Sequence, residues 1–136
     1  MNILALNSGS SSIKFQVFDM QNPTQPLVKG MAGRIAQKGA FLTTQDASRE
    51  TLRRELPLAD HRAALEAMFE SLREHLGGPL QDAVQGTGHR IVHGGAKFNG
   101  AVRIDQKTLQ GIKDVAKLEP LHNRPSILGI EACQAQ

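Results

Sequence analysis

Three short segments carry residue types whose spacing suits work on phosphate and carboxylate groups. Asn7-Ser8-Gly9-Ser10-Ser11-Ser12-Ile13-Lys14 sets a small polar turn directly behind an apolar run. Glycine lets backbone approach a ligand closely, serine hydroxyls and backbone N–H groups donate to phosphoryl oxygens, and Lys14 supplies a neutralising charge. Asn7 adds a neutral oxygen that could reach a metal-bound water. The bland alternative is a hairpin turn of small polar residues, since both the P-loop spacing and the dinucleotide glycine pattern are missing.

The second segment is Gly88-His89-Arg90-Ile91-Val92-His93-Gly94-Gly95. Read as a strand, it places Arg90 and Val92 on one face and His89, Ile91 and His93 on the other. A guanidinium beside a small apolar side chain suits a short carboxylate with an alkyl tail, because arginine's planar fork grips two oxygens. His89 and His93 have the spacing of a helical metal pair, but the glycines and β-branched residues around them favour a strand and structural histidines. The third segment, Pro120-Leu121-His122-Asn123-Arg124-Pro125, reads as a polar break between helices. A histidine there could donate to a developing negative charge, the alternative being an ordinary loop histidine.

The elements that must position these residues follow from hydrophobic periodicity. Asn2 to Ser8 is a nearly continuous apolar run, the pattern of a central strand buried on both faces. Ile13, Phe15 and Val17 alternate with Lys14 and Gln16, giving a second strand that returns antiparallel. Leu27 to Ile35 and Ala40 to Thr44 read as further strands. From Asp60, a possible N-cap, Leu65, Met68, Phe69, Leu72 and Leu76 recur at helical spacing until Gly77-Gly78-Pro79 stops them. Ala83 to His93 reads as a strand, Lys107 to Leu118 as a helix, and Ser126 to Gln136 as a helix without a closing cap. The order implies an α/β fold in which a hairpin sheet is extended by a crossover unit and covered by helices.

At 136 residues with 40% hydrophobic content, the chain has the size of one domain and can bury a core. The net charge is +3, but Lys and Arg are scattered, and the densest group, Arg49, Arg53 and Arg54, is interleaved with Glu50 and Glu55. That distribution reads as a solvated face and disfavours a nucleic-acid surface. A single cysteine, Cys133, and a start without the layout of a secretory signal point to the cytoplasm, and no apolar run is long enough to span a bilayer.

Taken in order, Leu6-Asn7-Ser8-Gly9-Ser10-Ser11-Ser12-Ile13-Lys14-Phe15, Gly88 to Gly95, and Pro120-Leu121-His122-Asn123 resemble acetate and propionate kinases over essentially the whole chain. That family belongs to the superfamily of sugar kinases, Hsp70 and actin, whose ribonuclease H-like lobes form mixed sheets covered by helices and close in pairs on nucleotide and Mg²⁺. The resemblance implies that this is a truncated first lobe. By the same resemblance Asn7 positions metal-bound phosphates, Ser10, Ser12 and Lys14 line the phosphoryl path, and Arg90 holds the acid or the transferring group. Val92 and Leu121 would wall the alkyl pocket, and His122 would contact the transferring phosphoryl.

The implied reaction is reversible transfer between ATP and acetate, with Mg²⁺ as cofactor; a propionate- or butyrate-type acyl kinase and a non-catalytic anion-binding lobe are the alternatives. The resemblance also implies a homodimer formed through the second lobe and little activity for these 136 residues alone, while charge distribution and run length point to neither a nucleic-acid nor a membrane partner. Two departures stand out: Ala96 replaces an acidic residue after the double glycine, and Arg124 follows His-Asn where proline is usual.

Overall fold

A computed structural model describes residues 1–91, 94–95, 98–117 and 120–136, with side chains described at all of these except 120–122. Six strands form one mixed sheet: β1 (Asn2–Ser8), β2 (Ile13–Asp19), β3 (Val28–Gly33), β4 (Phe41–Asp46), β5 (Thr51–Glu55) and β6 (Gly86–His89). Their order is β5-β4-β3-β2-β1-β6, with every neighbouring pair antiparallel except β1 and β6, which run parallel. The mixed sheet covered by helices is the expected fold.

Helix α1 (His61–Leu76) begins where Asp60 Oδ1 accepts from Ala63 N at 2.8 Å and ends at Gly77, whose φ of 76° closes the last turn onto the Arg73 carbonyl. Both caps stand where the sequence puts them, because a short carboxylate satisfies free amides at one end and glycine tolerates the left-handed turn at the other. Leu65, Met68, Phe69 and Leu72 of α1 are buried with Leu6, Ile13, Phe15, Val17, Val28 and Leu42 of the sheet. This core between α1 and the sheet takes apolar area out of water, the main stabilising term in folding.

After the short α2 (Leu80–Ala83) and β6 come α3 (Gln106–Ala116) and α4 (Pro120–Gln134). Helix α4 packs on β1 and β6 while α1 packs on β2, β3 and β4, so both lie on one face of the sheet. Among the described residues no helix packs on the other face. Accordingly β1 is buried on one face and only half-buried on the other, despite its continuous apolar run.

Two further local readings need correction. Among the described residues the segment read as a strand from Ala83 forms a strand over Gly86–His89, its start delayed because α2 takes up Ala83. Residues 92–93 of that reading lie outside the described residues. The supposed break at Pro120–Pro125 is the start of α4: proline's fixed φ suits a first helical turn, and Pro125 sits inside the helix at the cost of one backbone hydrogen bond. The charged stretch after Arg49, read as a solvated face, is exposed at every residue of strand β5, where Arg53 stacks on the Phe41 ring at 3.9 Å.

Candidate functional site

Strand register builds the site. Across the face away from α1 and α4, Asn7 of β1 stands opposite Lys14 of β2, Lys14 opposite Met31, Met31 opposite Thr43, and Thr43 opposite Arg53. On the other side of β1, Leu6 pairs with His89, and the Arg90 N–H continues the ladder by donating to Leu6 O at 3.1 Å. Arg90, Asn7 and Lys14 therefore form one row across three adjacent strands.

A cavity of about 720 Å³ lies on this face, with Asn7, Lys14, Gln16, Lys29, Met31 and Arg90 among its walls. Three cations meet there, and among the described residues no carboxylate lines the space. Such a field attracts an anion. Lys29 was not foreseen from the sequence; its pairing with Gln16 in the strand register is the signal that would have found it.

The serine turn leaves β1 beside the row. Gly9 N donates to Ser12 O at 2.7 Å, Ile35 N to Ser11 O at 3.0 Å, and the His61 ring nitrogen Nε2 lies 2.6 Å from Gly9 O. Ile35 reaches Ser11 from a tight loop in which Arg34 and Ala36 both take positive φ, an arrangement that costs about 1 kcal/mol or more per residue and persists only when the surroundings enforce it. A Cβ added at Gly9 would meet Ser12 O at an ordinary 3.4 Å, so the turn's own geometry does not demand glycine there. Ser10 is exposed and Ser12 partly so.

Helix α4 joins the site through Ser126, whose Oγ donates to Arg90 O at 3.2 Å. His122 and Leu121 occupy the first turn of α4, and His122 is one helical turn before Ser126. The side chains of both, and all of Val92 and Ala96, lie outside the described residues. Arg124 is exposed and Asn123 fully buried.

Electrostatics separates the site from its surroundings. His89 points towards α4, where a Cβ on Gly129 would lie 3.8 Å from its Nδ1, and burial pushes its ring down to about 4. Burial likewise pushes the Cys133 thiol up to about 11, against a lowering hydrogen bond with Thr87. The thiol is thus neutral at physiological pH and unsuited to nucleophilic work. Among the described residues no cluster of His, Cys, Asp and Glu could hold a metal ion, and no helix is long and apolar enough to cross a membrane.

The sequence model of the acetokinase family matches residues 2–136. The chain belongs to the acetokinase family. It is 44% identical over 137 residues to the acetate kinase of Geobacter metallireducens, covering 99% of this chain and 32% of that protein. The acetate kinase of Carboxydothermus hydrogenoformans is 43% identical over 136 residues, covering 98% and 34%. Among solved structures, a propionate kinase from Francisella tularensis superposes with a TM-score of 0.85 at 34% identity, covering 98% of this chain and 33% of that one. Porphyromonas gingivalis acetate kinase gives 0.84 at 28% identity, covering 98% and 34%. This acetokinase chain spans about a third of the length of the curated relatives it matches.

Proposed function

We propose that these residues are the first lobe of an acyl kinase that moves a phosphoryl group between ATP and acetate. The row Arg90, Asn7 and Lys14, with the serine turn beside it, is the observation that carries this reading. Arg90 grips the carboxylate or the transferring group in two places, and Lys14 with the hydroxyls and amides of Ser10 and Ser12 receives phosphoryl oxygens. Val92 and Leu121 close around the methyl group, and His122, in the first turn of α4, donates to the equatorial oxygens. Transfer of this kind needs positioning and charge neutralisation more than covalent chemistry.

The residues suit a Mg²⁺ that arrives on phosphate oxygens: Asn7 offers an amide oxygen to its water, and no carboxylate of the described cavity lining competes for it. Bound in that way, the metal would neutralise charge on the β- and γ-phosphates. ATP and ADP, acetate, and a homodimer formed through a second lobe complete the proposal, with the cytoplasm as the setting and neither nucleic acid nor membrane as partner. One side of the phosphoryl path is bare in this chain, so the 136 residues alone turn over little or nothing. Propionate is the second reading, favoured by the likeness to the Francisella tularensis propionate kinase.

The test joins these 136 residues in frame to the remaining two thirds of the Geobacter metallireducens relative and measures acyl hydroxamate formation from MgATP, hydroxylamine and either acid. Turnover of acetate by the joined protein but not by the 136-residue chain is expected. A joined protein that folds and forms neither hydroxamate would defeat the proposal, and faster turnover of propionate would replace acetate with the second reading.

A further inference from the structure

The serine turn is held from behind by a residue to which neither the family resemblance nor the proposed function gives a role. His61 is the first residue of α1, fixed there by the Asp60 cap and by the burial of Leu65, Met68 and Phe69 one and two turns on. Its Nε2 lies 2.6 Å from Gly9 O, across 52 residues of sequence. A carbonyl oxygen can only accept, so Nε2 carries the proton; the Nε2–H neutral ring and the imidazolium both satisfy that requirement.

That contact fixes the orientation of a peptide group. All peptide bonds of the described residues are trans, and in a trans peptide the C=O and the following N–H point in opposite directions. With Gly9 O drawn towards α1, the Ser10 N–H must face away from α1. Gly9 N is occupied by Ser12 O and Ser11 O by Ile35 N, whereas among the described residues the Ser10 N–H has no partner within the protein. Ser10 is exposed, and an outward-aimed amide in a turn near Lys14 is free to donate to an oxyanion. Glycine on the carbonyl side of this peptide makes rotation easy unless something holds it.

We propose that His61 is a positioning residue: by holding Gly9 O it turns the Gly9–Ser10 peptide so that the Ser10 N–H faces the phosphoryl group. The inference rests on the proposed function for the nature of the anion, while the orientation of the peptide stands independently of it. A lost hydrogen bond to Gly9 would free the peptide to rotate, and a rotated peptide would present a carbonyl oxygen to the anion instead of a donor.

The experiment uses the ¹⁵N-labelled 136-residue chain, inorganic phosphate as probe, and the variants His61→Ala and His61→Gln, the second keeping a side-chain N–H donor. Amide residual dipolar couplings report the direction of the Ser10 N–H, and phosphate titration reports its use as a donor. In His61→Ala the Ser10 coupling should move towards zero or change sign while the α1 amides hold their shifts, and phosphate binding should weaken about five- to tenfold. His61→Gln should restore both to within about twofold, which a merely structural role for the ring would not predict. An unchanged Ser10 coupling in a folded His61→Ala chain, or unchanged phosphate affinity, overturns the role of His61. Phosphate that leaves the turn of the unmodified chain unshifted would instead count against the anion-binding reading, so the two failures are distinguishable.

Discussion

Acidifying the protein from pH 7 to pH 4 should weaken its fold through one ring, that of His89. Burial against α4 holds this imidazole neutral, with a proton affinity lowered from 6.5 to about 4. The unfolded chain takes up the proton first as pH falls, so the neutral ring contributes stability that is complete above about pH 6.5 and is lost between there and about pH 4. Below that both states are charged and the loss stops. At about 1.4 kcal/mol per tenfold change in proton affinity the ceiling is about 3 kcal/mol, and because solvent reaches part of the ring about 2 kcal/mol is the better expectation. The assay is urea unfolding at half-unit steps of pH, run beside His89→Gln, whose curve should lack that slope. Asp46 and Asp105, held below the ordinary carboxylate range by bonds from Ser48 and Thr108, lose their contribution mainly below about pH 4 and do so equally in both proteins, so the difference between the two curves isolates His89. Parallel curves for the two proteins between pH 6.5 and 4, or a ring that titrates near 6.5 by NMR, would refute the reasoning.

Three substitutions probe the scaffold around the site. Ser8 Oγ is buried without a hydrogen-bond partner among the described residues, so Ser8→Ala should leave stability unchanged or raise it by up to about 1 kcal/mol in thermal unfolding, and a loss above about 1 kcal/mol would mean that the hydroxyl is engaged. Asp60→Ala should cost about 1 kcal/mol by removing the α1 cap, read by the same assay. Gly30→Ala should be far worse, about 3 kcal/mol or loss of folding, because a Cβ there would lie 2.2 Å from Thr43 O and 2.4 Å from Phe15 Cζ. A well-folded Gly30→Ala chain would show that β3 and β4 can part more easily than their register suggests.

Much of this was legible in the sequence because the signals were local. The hairpin of β1 and β2 announces itself by alternation around a polar turn, and α1 by apolar spacing between Asp60 and Gly77, so Asn7 and Lys14 fall side by side as soon as that hairpin is drawn. Joining Arg90 to them needed a parallel pairing over more than 80 residues, which periodicity does not encode; the motif resemblance supplied it. Strand β5 was hidden because every one of its residues is exposed and charge dominates the pattern. The start of α4 was hidden because Pro120 and Pro125 resemble loop punctuation, although proline is tolerated early in a helix. His61 gave no signal at all, since its meaning arises only when the amino terminus of α1 docks beside Gly9.

The central claim, that Arg90 and Lys14 grip the reacting groups of a phosphoryl transfer, is tested most directly by ATP formation from acetyl phosphate and MgADP. The assay uses the 136 residues joined to the downstream part of the Geobacter metallireducens relative, with Arg90→Ala, Lys14→Ala and, as a control on the same sheet face, Arg53→Ala. A fall in turnover of about a hundredfold or more for the first two, with Arg53→Ala close to the unsubstituted protein, is the predicted result. Full turnover with alanine at Arg90 and Lys14 would contradict the account.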